Sequence, residues 1–202
     1  MPKCKKCGRE YERQDCEKCI RIARIIETKW IEQFCRKTFT PRINQIIFNE
    51  ITIPEPIKNY QPMFYFGPVG SGKTIQACKG LLNWAIESKI QNTYRDADFM
   101  FVKMTDIIYD IRSAFADNEL SEINILSKYA NVKYLVIDDF GAAKDSEWLL
   151  QMLDTLVDKR YENLMETTIT SNYSLPTLTK KLGSSRITNR IESMCLQEKR
   201  EA

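Results

Sequence analysis

The residues best placed to do chemistry begin at Gly67-Pro68-Val69-Gly70-Ser71-Gly72-Lys73-Thr74, which spells G-x4-G-K-T. Glycines at that spacing let backbone N–H groups converge on phosphate oxygens without side-chain obstruction. A helix starting at Lys73 would add the positive end of its dipole. Lys73 then reaches the β- and γ-phosphates, Thr74 offers a hydroxyl to Mg2+, and Ile75 completes the run against the nucleotide. This Walker A pattern predicts ATP with Mg2+ as the ligand. A glycine-rich turn beside an ordinary surface lysine would satisfy the letters alone. The flanks argue otherwise: the apolar run Met63-Phe64-Tyr65-Phe66 leads in, and a helical pattern over 73–87 follows.

A second group matches the first. Val132-Lys133-Tyr134-Leu135-Val136-Ile137 reads as a buried parallel strand and ends in Asp138-Asp139. Parallel sheets place ligands at such strand ends. Asp138 is expected to hold Mg2+, directly or through water. Asp139 is expected to activate the attacking water; as an aspartate it is one methylene shorter than the glutamate often found there. A further strand over 165–172 ends in Ser171-Asn172, and Asn172 could bond both that water and the γ-phosphate, unless it only caps the following turn at Ser174-Leu175-Pro176. In Ser184-Ser185-Arg186-Ile187-Thr188-Asn189-Arg190-Ile191, a serine could cap a short helix that places Arg186 and Arg190 at i,i+4. Two arginines on one face could meet the γ-phosphate of a neighbouring subunit; the plainer reading pairs them with Glu192 or Glu166.

The N-terminus carries a different signal. Cys4, Cys7, Cys16 and Cys19 form C-x2-C-x8-C-x2-C. Two C-x2-C pairs can turn four thiolates onto one tetrahedral ion, which suits Zn2+. An iron–sulfur cluster or two disulfides could use the same cysteines. Lys3, Lys5, Lys6, Arg9 and Arg13 surround the module and either touch DNA phosphates or form a solvated face. Cys35, Cys78 and Cys195 lack metal spacing and read as small buried hydrophobes.

Composition excludes several classes. The 202 residues include no histidine, so Ser-His and Cys-His mechanisms are ruled out. Net charge is only +3, but the first 61 residues hold 13 Lys or Arg against 8 Asp or Glu, whereas the rest hold 17 against 19. No apolar run is long enough to span a membrane and the start lacks a signal-peptide core, so a reducing, cytoplasmic compartment is expected.

These residues must be positioned by a frame. Further strands are expected at 97–104 and around Met194-Cys195-Leu196. Helices are expected from Thr105 to Phe115, over 119–130 and from Asp145 to Tyr161. Phe115 and Tyr129 read as core more readily than as base-stacking groups. Alternating strands and helices predict an α/β, three-layer sandwich with a mostly parallel sheet. Ile22, Ile26, Trp30 and Phe34 predict a helix from Cys19 to Thr40, and four prolines predict an irregular connector over 41–62. The expected domains are a zinc module at 1–19, a helix and connector at 20–61, and a core at 62–202 that ends without a C-terminal helical lid.

The ordered set GPVGSGKT, YLVIDDFGA, TSN and SSRITNRI resembles the AAA+ superfamily. Within it, the chain is similar to the bacterial and phage helicase loaders of the DnaC/DnaI group. The resemblance covers residues 60–200 well and 1–60 loosely. It implies a P-loop ATPase, weak or partner-stimulated, that self-associates or meets a neighbouring AAA+ subunit, binds the hexameric replicative DNA helicase and contacts single-stranded DNA. It matches Arg186 and Arg190 to the family's arginine box. Two alternatives stay open: an IstB-type transposition ATPase, and a zinc-stabilised adaptor that binds ATP with little hydrolysis.

Overall fold

The computed structural model describes residues 29–50, 61–116, 122–141 and 147–201. The four N-terminal cysteines and the isoleucines at 22, 25 and 26 lie outside them. The chain divides into two compact units, one of residues 1–60 and 78–95, the other of 61–77 and 96–202. Residues 78–95, which were expected to belong to the core, fall in the first of these units.

In the N-terminal unit, α1 runs Trp30–Thr38 and α2 Pro41–Glu50. Lys29, just before α1, has a left-handed φ of 56°. Of the helix expected from Cys19 to Thr40, the described part starts at Trp30, and residues 19–28 lie outside the described residues. The expected irregular connector is helical over its first ten residues, because Pro41 sits at the helix start, where its fixed φ suits and its missing N–H costs nothing. Trp30, Phe34 and Phe39 pack ring against ring, and Tyr94 meets Trp30 edge-on at 5.2 Å. Lys89 lies over both Trp30 and Tyr94.

The second unit is built on a parallel sheet. Its strands are β1 (Met63–Phe66), β2 (Phe99–Lys103), β3 (Tyr134–Asp138), β4 (Glu166–Ser171) and β5 (Leu196–Lys199), in the order β2-β3-β4-β1-β5. All four neighbouring pairs are parallel. Every residue of β3 is buried, so both faces of the sheet are covered at its middle. The helices are α3 (Lys73–Ile90), which begins in this unit, α4 (Met104–Ala116), α5 (Glu122–Ala130), α6 (Glu147–Glu162), α7 (Leu175–Leu182) and α8 (Arg186–Met194).

Two elements differ from expectation. The turn expected at Ser174-Leu175-Pro176 opens α7, with Pro176 in its first turn and Leu175, Leu178 and Leu182 buried at helical spacing. The last strand begins at Leu196, because Met194 still belongs to α8, and Cys195 ends that helix by donating its N–H to Ile191 O.

One buried cation holds the far end of the sheet. Arg160 of α6 is fully buried. Its guanidinium donates to the carbonyls of Tyr129, Val132 and Glu166 at 2.7, 2.8 and 2.7 Å, and to Thr167 Oγ1 at 2.9 Å. Burial pulls its pKa down to about 10, which still leaves it charged at neutral pH. Tyr129, weighed above as core or base-stacking, is buried and donates its hydroxyl to Asp110 at 2.5 Å.

Candidate functional site

β4 lies between the strand that leads into the glycine loop and the strand that carries the acids, so its C-terminal end touches both. Phe66 is in register with Ser171, and Gly67 N–H donates to Ser171 O at 3.3 Å. On the other side Ile137 pairs with Ile169, and Phe140 N–H donates to Thr170 O at 2.8 Å.

The loop folds on itself. Ser71 Oγ donates to Pro68 O at 2.9 Å, and Gly70 and Gly72 take left-handed φ values of 87° and 79°. Pro68 and Val69 are exposed at its tip. Lys73 is buried and donates Nζ to Gly67 O at 2.9 Å and to Pro68 O at 2.7 Å. Burial pulls the Lys73 pKa below its ordinary value, and Asp139 and Asp138 oppose that shift. Ile75 is half-buried one residue beyond Thr74 in α3.

Thr74 and Asp138, both expected to hold Mg2+, lie in contact. Thr74 Oγ1 donates to Asp138 Oδ1 at 2.8 Å. Asp138 is buried, and burial raises its pKa although the hydroxyls of Thr170 and Thr74 pull it down. A hydroxyl and a buried carboxylate in contact beside a phosphate loop are the donor set that Mg2+ and a triphosphate require. These residues fit the nucleotide and its metal: Thr74 and Asp138 would hold Mg2+, and Lys73 with the loop amides would hold phosphate oxygens. Bound there, Mg2+ would draw charge from the phosphate oxygens. Asp139 follows at the strand end with a left-handed φ of 58°, and Asn172 is exposed just past β4.

The sequence reading missed Thr170. It is fully buried, donates to Asp138 Oδ1 at 2.7 Å and accepts the Asp139 N–H at 3.0 Å. The available signal was a threonine in an otherwise buried strand whose end lies beside an acid. Arg186 and Arg190 share one side of α8 as expected. Their partners are Asp154 and Asp158 of α6, which take the place expected of Glu192 or Glu166. The i,i+4 aspartates on α6 were the legible sign. Arg186 is 59% exposed and Arg190 only 19%. Ser184 Oγ, rather than the Ser185 side chain, accepts the Arg186 N–H.

Among the described residues no group of three or more potential metal-ligating Cys, Asp or Glu residues is present, and Cys35, Cys78 and Cys195 are free and buried. None of the described helices is long and apolar enough to cross a membrane.

A parallel α/β sheet with a glycine loop after one strand, an acid pair after another and a polar strand between them is the architecture of the P-loop ATP-binding proteins. A sequence profile of the IstB-like ATP binding protein family matches residues 5–196, and the chain belongs to that family. It is 26% identical over 128 residues to the Replicative helicase loader DnaC of Escherichia coli (strain K12), covering 62% of this chain and 48% of that protein. It is 25% identical over 153 residues to the Insertion sequence IS232 putative ATP-binding protein of Bacillus thuringiensis subsp. berliner, covering 76% of this chain and 57% of that one. The chain thus spans about half the length of the curated relatives it matches. The crystal structure of the DnaC helicase loader superposes with a TM-score of 0.58 at 22% identity, covering 78% of this chain and 85% of the other. That likeness establishes the shared fold.

Proposed function

We propose that this chain is an ATP-hydrolysing assembly factor that binds a hexameric replicative DNA helicase and assists its loading onto single-stranded DNA. The observation that carries the nucleotide half of this reading is the contact between Thr74 and Asp138 beside the Lys73 loop. Loop amides and Lys73 bind the triphosphate, Asp139 takes a proton from water, and Asn172 orients that water against the γ-phosphate. Arg186 and Arg190 serve a neighbouring subunit's nucleotide by exchanging Asp154 and Asp158 for phosphate oxygens. The helicase half is supported by the similarity to a protein named as a replicative helicase loader. The zinc module at Cys4, Cys7, Cys16 and Cys19 lies outside the described residues; zinc there, as a docking module, is part of the same proposal.

The test is a pull-down of a bacterial hexameric replicative helicase with this chain, with zinc, ATP and Mg2+ present and the subunit ratio read by mass. A stable complex whose yield falls in Lys73→Ala supports the reading. No complex at micromolar concentration overturns it. The similarity to an insertion-sequence ATP-binding protein favours one second reading, a transposition ATPase. Preference for duplex over single-stranded DNA, with no helicase complex, would select it.

A further inference from the structure

Thr170 is a polar residue in a strand whose neighbours on both sides are buried, and a valine would fill the same space. A buried hydroxyl is retained at a cost unless it is bonded, so its partners matter. They are the two acids of the site. Its O–H donates to Asp138 Oδ1, and its oxygen accepts the Asp139 N–H. The Phe140 N–H closes on its carbonyl at 2.8 Å. The turn at the end of β3 is thereby tied to Thr170 of β4, with the Ser171 hydroxyl adding one bond to Phe140 O.

The division of duties at Asp138 is informative. Thr74 and Thr170 both donate to Oδ1, so Oδ2 lies outside both bonds. Thr74 is also the hydroxyl expected to face the metal. A Thr74 oxygen turned to a cation could keep its proton on Asp138 only in a restricted geometry, whereas the Thr170 hydroxyl proton has Asp138 as its acceptor and its oxygen takes the Asp139 N–H. Asp139 is a non-glycine residue in the left-handed region, an uncommon backbone state that its surroundings must hold. The bonds from Thr170 hold it.

We infer that Thr170 is a positioning residue for the magnesium–nucleotide site: its hydroxyl aims the Asp138 carboxylate and fixes the Asp139 turn, so the magnesium-dependent part of nucleotide affinity depends on it. This rests on the nucleotide reading given under Proposed function.

The experiment compares the full-length chain with Thr170→Val, Thr170→Ala and Thr170→Ser. Binding of a fluorescent ATP analogue is measured in EDTA and across a Mg2+ titration, with circular dichroism as the check on folding. Thr170→Val should bind in EDTA as the parent does and need about tenfold more Mg2+ to reach its tight state, the usual scale for losing a residue that orients a metal ligand. Thr170→Ser should restore the parent's Mg2+ requirement, and Thr170→Ala should repeat the valine result if the valine chain does not fold. A folded valine or alanine variant with the parent's Mg2+ requirement overturns the inference, as does a serine variant as impaired as valine. A parent chain whose binding ignores Mg2+ overturns the nucleotide–metal reading itself, and the inference with it.

Discussion

Gly67 is held from both sides, and Gly67→Ala should be costly for a geometric reason. Its φ is 145°, in a region that L side chains rarely adopt, and an added Cβ would lie 2.1 Å from the Arg200 carbonyl oxygen. That oxygen cannot easily retreat, because Arg200 N–H is bonded to Phe66 O at 2.7 Å. Gly67 cannot easily retreat either, since its own N–H is bonded to Ser171 O. The conformational strain is worth about 1–3 kcal/mol. Forcing atoms into a packed position adds about 1–3 kcal/mol. The expected loss is therefore about 2–6 kcal/mol, a large share of the roughly 5–15 kcal/mol a domain has. Gly70→Ala is the control: φ is 87° but nothing lies within 4 Å of the new Cβ, so only the strain applies. Urea unfolding followed by circular dichroism measures both, and nucleotide binding should fall in Gly67→Ala, because relief must move the start of the loop. The reasoning is refuted if Gly67→Ala lies within about 0.5 kcal/mol of the parent, or if Gly70→Ala costs as much.

Three other outcomes follow from the same chemistry. Burial raises the Asp138 pKa above its unfolded value, so the carboxyl loses stability as pH rises from about 3.9 upward through the folded pKa and contributes least once ionised; Asp138→Asn should leave stability at neutral pH equal or raised in thermal unfolding, flatten that pH dependence, and abolish the magnesium-dependent gain in nucleotide affinity. Arg160→Met should cost about 3–5 kcal/mol in urea unfolding, since it takes a donor from the carbonyls of Tyr129, Ala130, Val132 and Glu166 at roughly 1–3 kcal/mol each, less what relaxation recovers; a loss near zero would mean those carbonyls find other partners. Purified protein should carry about one zinc ion per chain, released on thiol modification, and a double variant of Cys4→Ser with Cys7→Ser should carry none; metal content unchanged by the substitutions would remove zinc from the account.

What the sequence revealed and what it concealed divide along a physical line. The glycine loop, the strand before it and the helix after it are contiguous, so their geometry is a local property and their letters suffice. The acid pair was legible because an apolar run ending in carboxylates has one natural place in a parallel sheet. Thr170 and Arg160 were not legible as partners, because each acts through residues far away in the chain; Asp154 and Asp158 showed only their i,i+4 spacing, which does not name the arginines they meet. Arg160 looks like any surface arginine of an amphipathic helix until the turn after α5 brings carbonyls to it. The helix at Leu175–Leu182 was hidden by Pro176, which reads as a turn residue unless it stands in a first turn. The strand around Leu196 was placed too early because Met194 and Cys195 are apolar, and apolarity alone does not distinguish a helix end from a strand start.

The choice of aspartate at 139 becomes intelligible through the backbone rather than the side chain. Judged by reach alone, aspartate in place of glutamate is a methylene short of its target. But the residue stands at φ 58°, and the left-handed region is visited by aspartate and asparagine far more readily than by longer side chains, because a short polar group can bond locally there. That conformation also redirects the Cα–Cβ bond relative to the extended strand it follows, so the carboxylate's position is set by the turn as much as by its length. The turn is held by bonds that end on β4: Asp139 N–H on the Thr170 hydroxyl, Phe140 N–H on the Thr170 carbonyl, and Phe140 O receiving the Ser171 hydroxyl at 2.7 Å. Gly141 continues it with φ 83°, where a Cβ would lie 2.5 Å from the Leu178 side chain of α7. A glutamate placed here would gain length and lose its fit to the turn, so length and conformation have to be judged together at this position.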